Sequence, residues 1–161
     1  MDDVLSHKVP HFAREDLASV RAAGIETLLV QHWEEIAFYQ DIPLDVAWSD
    51  YEATEALGML RLYTARLAGK LIGYACFRVC RNSHYQTSLQ AVQDVLFLAP
   101  EHRGWQIGTQ LVAYADSMLA SEGVQVVTHH SKVRLPIDKV LQHQRYELIE
   151  TVWGKRLDLV R

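Results

Sequence analysis

The sequence predicts an α/β protein of the α+β type, with a mixed central sheet and flanking helices. Three observations support this prediction. Helical patterns come first, two strand-like segments joined by a glycine turn follow, and a strand–helix–strand unit comes after them. Tight turns join antiparallel strands, whereas a connecting helix generally makes two strands parallel. The expected sheet is therefore antiparallel in its N-terminal part and parallel at its last pair.

The N-terminal part predicts two helices. Apolar residues recur at helical spacing from Ile25 to Ile36, which predicts a helix over about residues 16–39, bent or divided at Gly24. Ser49 and Glu52 have the spacing of a capping box, and Gly58 is a natural helix stop. A short second helix is therefore expected between these signals.

The middle of the chain predicts three strands. Leu60–Leu67 and Leu71–Cys80 form a hairpin, and Gln90–Leu98 follows a polar linker. Cys76 and Cys80 lie four residues apart in one strand, so about 13 Å separates them, which is too far for a disulfide. We expect both cysteines to be reduced core residues.

The remaining chain predicts helices and strands in alternation. A helix ends near Ser121, before Gly123. A strand over Val124–His130, a helix over Pro136–His143 and one or two strands over Tyr146–Leu159 complete the pattern. These final strands could pair or exchange across a homodimer.

Length and composition limit the class of protein. The 161 residues fit one domain, 1–161, and 49% hydrophobic with 22% charged residues is typical of soluble globular proteins. Charge-free runs fall short of the roughly 18 residues of a membrane helix, and the acidic start is unlike a signal peptide. We therefore expect a cytoplasmic protein without a membrane partner.

Charge is distributed unevenly. Residues 1–60 hold twelve acidic and three basic side chains, whereas residues 61–161 hold eight acidic and 13 basic ones. This asymmetry favours an anionic ligand on the C-terminal half and a cationic one near the N-terminal half, although a solvated surface explains it equally. The small net charge of −4 argues against nucleic acid as a partner.

One segment indicates a phosphate site. A strand runs through Ala99-Pro100 and Arg103 into a helix that opens with Gly104 and Gly108. Helix N-termini offer free N–H donors, glycines allow close approach, and a guanidinium suits phosphate oxygens. The Rossmann and Walker glycine patterns are both absent, so hydride transfer and nucleotide hydrolysis lose support.

This segment resembles the acyl-coenzyme A signature of the GNAT acetyltransferases. Leu98-Ala-Pro-Glu101 fits the turn, Arg103 the first position and Gly108 the last, while Gln106 stands where the family usually has glycine. The resemblance spans about residues 60–159 and is greatest to phage-encoded members. It implies the GNAT fold and an acetyl-CoA site at Phe97, Leu98, Ala99, Arg103, Gly104, Trp105, Gln106, Ile107, Gly108 and Thr109.

The resemblance also implies an activity. In this family a primary amine of a small molecule or protein attacks the acetyl thioester directly, in a ternary complex and without a metal. Asp94 is the candidate base, because alternation places it on the same strand face as Leu96 and Leu98. Pairing with a neighbouring cation is an equal alternative. Backbone N–H groups at a bulge around residues 97–99 would polarise the thioester.

The general acid has no clear counterpart. Leu141 occupies the position of the tyrosine that often protonates the leaving thiolate, with Arg145-Tyr146 in place of the family's Gly-Phe pair. His143 is a substitute candidate. Gln106 and Leu141 together favour an alternative, a weak or silent protein that binds acyl-CoA or a protein partner.

Other histidines carry weaker hypotheses. His84 and Tyr85 lie in a loop that could reach the acceptor, although ordinary loop hydrogen bonding also explains them. His129 and His130 point to opposite faces of a regular strand, so they cannot chelate one metal ion together.

Overall fold

The structure is a computed structural model that describes residues 9–158, apart from the Trp105 side chain. In chain order its elements are β1 His11–Glu15, α1 Leu17–Ala22, α2 Ile25–Ile36, α3 Trp48–Ala56, β2 Leu60–Leu67, β3 Lys70–Arg81, β4 Leu89–Leu98, a 3-10 turn Pro100–His102, α4 Trp105–Ser121, β5 Val126–Thr128 and α5 Asp138–His143. The sheet order is β1-β2-β3-β4-β5. Strands β1 to β4 are antiparallel, and β4–β5 is parallel. The predicted mixed sheet is confirmed.

Helices cover both faces of this sheet. Apolar residues of α1 and α2 pack on one face, where Tyr74 and Phe97 are buried. Leu111 and Leu119 of α4 pack on the opposite face, against Tyr63 and Phe77. Because alternate residues of a strand point to opposite faces, β3 supplies side chains to both layers and is the most buried strand.

The glycine signals in the N-terminal part are confirmed, but the capping box is wrong. Gly24 has φ of 83° and separates α1 from α2, and Gly58, with φ of 71°, follows α3. However, α3 begins at Trp48 without a side-chain cap, so Ser49 lies inside its first turn. The Glu52 carboxylate instead pairs with Arg21, 3.2 Å away, because α1 packs beside α3.

The sequence analysis missed strand β1. Its five residues contain little strand-forming sequence, and Glu15 is acidic. The strand forms because it pairs with β2, where Arg66 donates to Glu15 at 2.8 Å through both Nε and Nη2. Only this contact with a distant segment reveals it.

The C-terminal strand predictions are wrong in two places. β5 spans three residues rather than seven, and residues 146–158 form no strand; Leu159 lies outside the described residues. Apolar side chains in this segment stay exposed, among them Leu148, Val152 and Trp153. Alternation alone therefore did not produce a strand, because no neighbouring strand of the described chain pairs with it.

The two cysteines differ from the prediction in one respect. Both are free, as expected, and Cys76 is buried. Cys80 is exposed near the end of β3, so its assignment to the core is wrong. The strand extends beyond the helices that cover it at this point.

Candidate functional site

A β-bulge places Asp94 at the centre of the candidate site. Cys76 pairs with Val95, but the next residue of β3, Phe77, pairs with Gln93, which leaves Asp94 as the extra residue of β4. The predicted bulge at residues 97–99 is therefore wrong. So is the placement of Asp94 on the same face as Leu96, since the extra residue reverses the alternation.

Asp94 consequently faces the α1–α3 side of the sheet. The hydroxyl of Tyr51 in α3 donates to Asp94 Oδ2 at 2.5 Å. Burial, followed by this hydrogen bond, raises the pKa of Tyr51 well above its usual value, so the phenol stays protonated and donates. The carboxylate is held in one orientation while it remains open to the two cavities described below.

The first cavity lies where β4 and β5 separate. Their pairing ends at Val92 and Thr128, and a cavity of about 330 Å³ opens beyond it. We call it the cofactor cavity. Its wall consists of His32, Ile36, Gln93, Asp94, Leu96, Phe97, Leu98, Arg103, Gly104, Gly108, Leu111, His130, Lys132, Leu135, Pro136, Ile137 and Val140.

Backbone donors of β4 point into this cavity. The Ala99 N–H donates to Ile72 at 2.8 Å, so Ala99 is engaged with β3 and its predicted role as a free donor is wrong. Because antiparallel pairing alternates, the N–H groups of Leu98 and Leu96 face the opposite edge. Within residues 9–158 that edge has no strand neighbour beyond Val92, so both donors face the gap. The Phe97 side chain is buried on the α1–α3 face.

The N-terminus of α4 closes one end of the cavity. Gly104 is the N-cap residue, and no side chain caps the helix. A Cβ at Gly104 or Gly108 would meet no described atom within 4 Å, so both glycines border open space. Gln106 is exposed, Ile107 is half-buried and Thr109 is buried. Free N–H groups beside open space form a suitable site for an anion.

Arg103 makes contacts that the sequence did not predict. Its guanidinium donates to Glu35 of α2 at 2.6 Å and to the Leu98 carbonyl at 2.8 Å, and it lies over the Phe97 ring. The side chain lines the cofactor cavity but is paired with a carboxylate. Arg103 therefore joins the segment between β4 and α4 to α2.

A second cavity of about 420 Å³ lies on the α1–α3 side. We call it the acceptor cavity. Its wall consists of Leu17, Ile25, Leu29, His32, Trp33, Ile36, Leu44, Asp45, Val46, Ala47, Trp48, Asp50, Tyr51, Leu62, Tyr74, Cys76, Arg78, Asp94, Val95 and Lys132. Asp94, His32, Ile36 and Lys132 line both cavities, so the two spaces adjoin at these four residues.

His32 at this junction is neutral near pH 7. Burial lowers its pKa to about 4, despite the opposing effect of Glu35. The ring packs against Phe97 with centroids 5.1 Å apart. His32 thus separates the two cavities without adding a positive charge.

The Gln93 side chain connects β4 to the residues that follow β5, at the point where the two strands separate. Its Oε1 atom lies 2.7 Å from His129 Nδ1 and accepts from the His130 N–H at 3.3 Å. These contacts replace the ladder between β4 and β5 where the strands diverge. Burial lowers the pKa of His129 to about 4, and its ring meets the edge of Tyr146, which donates to Asp116 at 2.6 Å.

The three residues predicted for acid catalysis and acceptor binding lie outside both cavities, and four residues of the predicted cofactor segment are also absent from both walls: Ala99, Gln106, Ile107 and Thr109. His84 and Tyr85 are exposed in the β3–β4 loop, where Asn82 Oδ1 accepts from both backbone N–H groups. His143 is exposed at the end of α5. None of the three belongs to either cavity wall, so the structure does not bring them to Asp94.

Sequence reasoning missed Tyr51, His32 and Gln93. His32 belongs to the apolar stripe of the first predicted helix, which predicted only burial. Tyr51 lies in the second helix, which was predicted from its capping and stop signals alone. Gln93 precedes Asp94 directly, but only the separation of β5 from β4 gives its amide a role. Within residues 9–158 no group of three or more potential metal ligands occurs. In the same range no helix is long and apolar enough to cross a membrane.

Solved structures share this fold at low sequence identity. A predicted acetyltransferase from Clostridium acetobutylicum, solved with acetyl-CoA, has a TM-score of 0.69 at 11% identity over 92% of this chain and 97% of its own. A ribosomal-protein-alanine N-acetyltransferase from Brucella melitensis has a TM-score of 0.70 at 15% identity over 92% and 99%. An aminoglycoside N-acetyltransferase in complex with CoA has a TM-score of 0.69 at 19% identity over 94% and 96%.

Comparison with family models gives a direct assignment. A search of curated protein sequences finds no significant match. The model of the acetyltransferase (GNAT) family, however, matches residues 21–135, which include α2, all of the acceptor cavity wall except Leu17, Asp94 and the α4 N-terminus. This match covers more than half of the chain, and the similarity of the fold to solved acetyltransferases agrees with it. The chain belongs to the GNAT family of acetyltransferases.

Proposed function

We propose that this protein transfers an acetyl group from acetyl-CoA to a primary amine of a small molecule or protein, by direct attack in a ternary complex. One observation carries the proposal: Asp94 lines two adjoining cavities, one beside backbone donors and a helix N-terminus and the other beside acidic side chains. Solved structures described as acting on aminoglycosides and on ribosomal protein support amines as the acceptor class.

The residues of the cofactor cavity fit acetyl-CoA. The α4 N-terminus at Gly104 and Gly108 would hold the pyrophosphate, because its N–H donors are uncapped and the glycines border open space. The Leu96 and Leu98 N–H groups face the gap and would hydrogen-bond the thioester arm. When bound, acetyl-CoA supplies an activated acetyl group as a thioester.

Asp94 would remove the proton from the amine. A lysine-like amine with pKa about 10.4 is neutral in only roughly one molecule in 2,500 at pH 7, so attack requires a base. Asp94 is open to both cavities, and the Tyr51 hydrogen bond holds its carboxylate in place. Asp94 takes one proton from the ammonium group and passes it to water, and the neutral amine then attacks the thioester carbonyl. As the C–N bond forms and the C–S bond breaks, the nitrogen gives its second proton to Asp94.

The CoA thiolate can leave without a general acid from this protein. A thiol has an ordinary pKa of about 8.5, so a thiolate leaves readily and takes a proton from water near neutral pH. Leu141, at the position of the usual tyrosine, is therefore compatible with turnover. His143 stays a prediction, and its place outside the cavity wall argues against an acid role.

We also propose a cytoplasmic homodimer. Exposed Cys80 is consistent with a reducing compartment. Leu148, Val152 and Trp153 are between 79% and 93% exposed, a pattern typical of a segment that packs against another copy. Light scattering at micromolar concentration should give twice the monomer mass, whereas a monomer would reject the dimer. The resemblance to phage-encoded members stays a prediction.

Calorimetry and a thiol-release assay test the activity. Acetyl-CoA should bind with micromolar affinity while ATP should not, and release of the CoA thiol should require added amine. Binding without amine-dependent release would favour the silent acyl-CoA-binding alternative. Absence of binding would overturn the cofactor assignment.

A further inference from the structure

The acceptor cavity has an aromatic and aliphatic wall. Trp33, Trp48 and Tyr51 line it, together with aliphatic residues of α1, α2 and the loop before α3. Trp48 is held in place from two sides, since the Arg21 guanidinium lies 4.5 Å from its ring centroid and the Tyr51 ring 6.0 Å from it. An aromatic wall fixed in this way presents a ready apolar surface to a ligand.

The charged groups of the same cavity favour a cation. Three carboxylates, those of Asp45, Asp50 and Asp94, face two basic side chains, Arg78 and Lys132. His32 adds no charge near neutral pH because burial keeps it neutral. The balance is therefore negative, and the carboxylate open to both cavities is that of Asp94.

We infer that the acceptor is a primary amine carried on an apolar aromatic body, an arylalkylamine, with its ring against Trp33 and Trp48 and its amine at Asp94. This inference rests on the proposed function and specifies its substrate class. Aromatic rings bury 150–250 Å² on binding, and an ammonium group gains from an adjacent carboxylate.

Polar polyamines and sugars fit this wall poorly. An aminoglycoside carries many hydroxyl and ammonium groups, and each one buried against Leu29, Ile36 or Val46 without a partner would lose its hydrogen bonds to water. A peptide N-terminus requires backbone hydrogen-bonding partners along a groove, and most of this wall is apolar. The wall thus discriminates against both classes.

Steady-state kinetics with a panel of amines test the inference. The panel contains tryptamine, phenethylamine, ethanolamine, sisomicin and an alanine-initiated peptide, with acetyl-CoA held at saturation. We expect kcat/KM for tryptamine to exceed that for ethanolamine at least 100-fold. An equal or higher value for ethanolamine, sisomicin or the peptide would overturn the inference and leave the acetyltransferase function intact.

A variant pair locates the binding surface. Trp33→Ala should raise KM for tryptamine at least tenfold and change KM for acetyl-CoA less than twofold. Phe38→Ala, which removes a 67% exposed aromatic ring outside both cavity walls, is the matched control and should change neither. If Trp33→Ala fails to fold, Asp50→Asn, a surface substitution, should raise KM for tryptamine at least fivefold.

Direct binding separates the two hypotheses. Tryptamine is titrated into the protein saturated with CoA, and binding is measured by calorimetry. Binding without turnover of any amine would overturn the acetyltransferase function but support the arylalkylamine site. Absence of detectable binding at about 10 mM tryptamine would overturn the site itself.

Discussion

The two cavities on either side of Asp94 are built in different ways. The cofactor cavity depends on backbone: uncapped N–H groups of α4, strand donors at Leu96 and Leu98, and glycines beside open space. The acceptor cavity depends on side chains that converge from α1, α2, α3 and the sheet. A site built from backbone groups suits a cosubstrate that many proteins share. A site built from converging side chains sets the substrate specificity of an individual protein.

The largest effect is expected from a substitution in the cofactor cavity, which is built from backbone groups. Gly108→Glu adds bulk and a negative charge where the pyrophosphate would bind, so the Kd for acetyl-CoA should rise at least 1,000-fold. The open space around Gly108 predicts that the fold is retained. Gln110→Glu adds the same charge on an exposed position of α4 and should change the Kd less than threefold. Calorimetry measures both, and an unchanged Kd in Gly108→Glu would refute the phosphate assignment.

Acid sensitivity is expected from two buried histidines on opposite faces of the sheet, His32 beside both cavities and His129 beside Gln93. Burial lowers the pKa of His32 and of His129 from 6.5 to about 4. Between these values the unfolded chain binds more protons, so stability is full above pH 6.5 and falls as the pH falls. Each histidine should remove about 2 kcal/mol of unfolding free energy between pH 7 and pH 5.

Urea unfolding at several pH values measures this effect. Between pH 7 and pH 5 the two histidines together lower the unfolding free energy. His32→Gln and His129→Gln should each abolish about half of this decrease. The two effects should add, because the rings lie on opposite faces of the sheet. Unchanged pH dependence in either variant would contradict the neutral assignment of that histidine.

A smaller effect is expected in the backbone that follows α5. This helix lies beside the cofactor cavity, which Val140 of α5 and the preceding residue Ile137 line. Arg145 has φ of 64°, a left-handed conformation that favours glycine. Arg145→Gly should therefore stabilise the protein by about 1 kcal/mol. Arg145→Ala removes the same side chain but keeps the strain, so it should bring no such gain. Thermal unfolding compares the two, and equal stabilities would disprove the strain.

The smallest effect is expected outside both cavities. His84→Ala, Tyr85→Phe and His143→Ala should each change kcat/KM less than twofold, since none of these side chains belongs to a cavity wall. Steady-state assays with the best amine measure this. A tenfold loss in any of the three would place that residue in the reaction despite its position.

The difference between the two cavities, one built from local backbone and the other from distant side chains, explains what the sequence could predict. The strand–turn–helix segment from Leu96 to Gly108 was recognisable because its signals are local: a strand, a proline turn and glycines at a helix start. The bulge at Asp94 was not, since only the register against Phe77 and Cys76 reveals an extra residue. Asp94 was chosen as the candidate base by its place on the strand, but its face was predicted wrongly.

Contacts between distant segments account for the other differences. Glu35 lies 68 residues from Arg103, and no local pattern indicates that their side chains meet at 2.6 Å. Tyr51 and Asp94 are likewise 43 residues apart. Strand β1 forms only because β2 offers an edge and Arg66 a partner for Glu15. Local periodicity therefore predicts elements, while side-chain pairing across the fold decides the site.

Asp94→Asn tests the central claim most directly, that the carboxylate joining the two cavities removes the proton from the amine. Asparagine keeps the size and the Tyr51 contact but cannot act as a base. We predict that kcat falls at least 100-fold while the Kd for acetyl-CoA, measured by calorimetry, stays within twofold. Full turnover in Asp94→Asn would contradict the account.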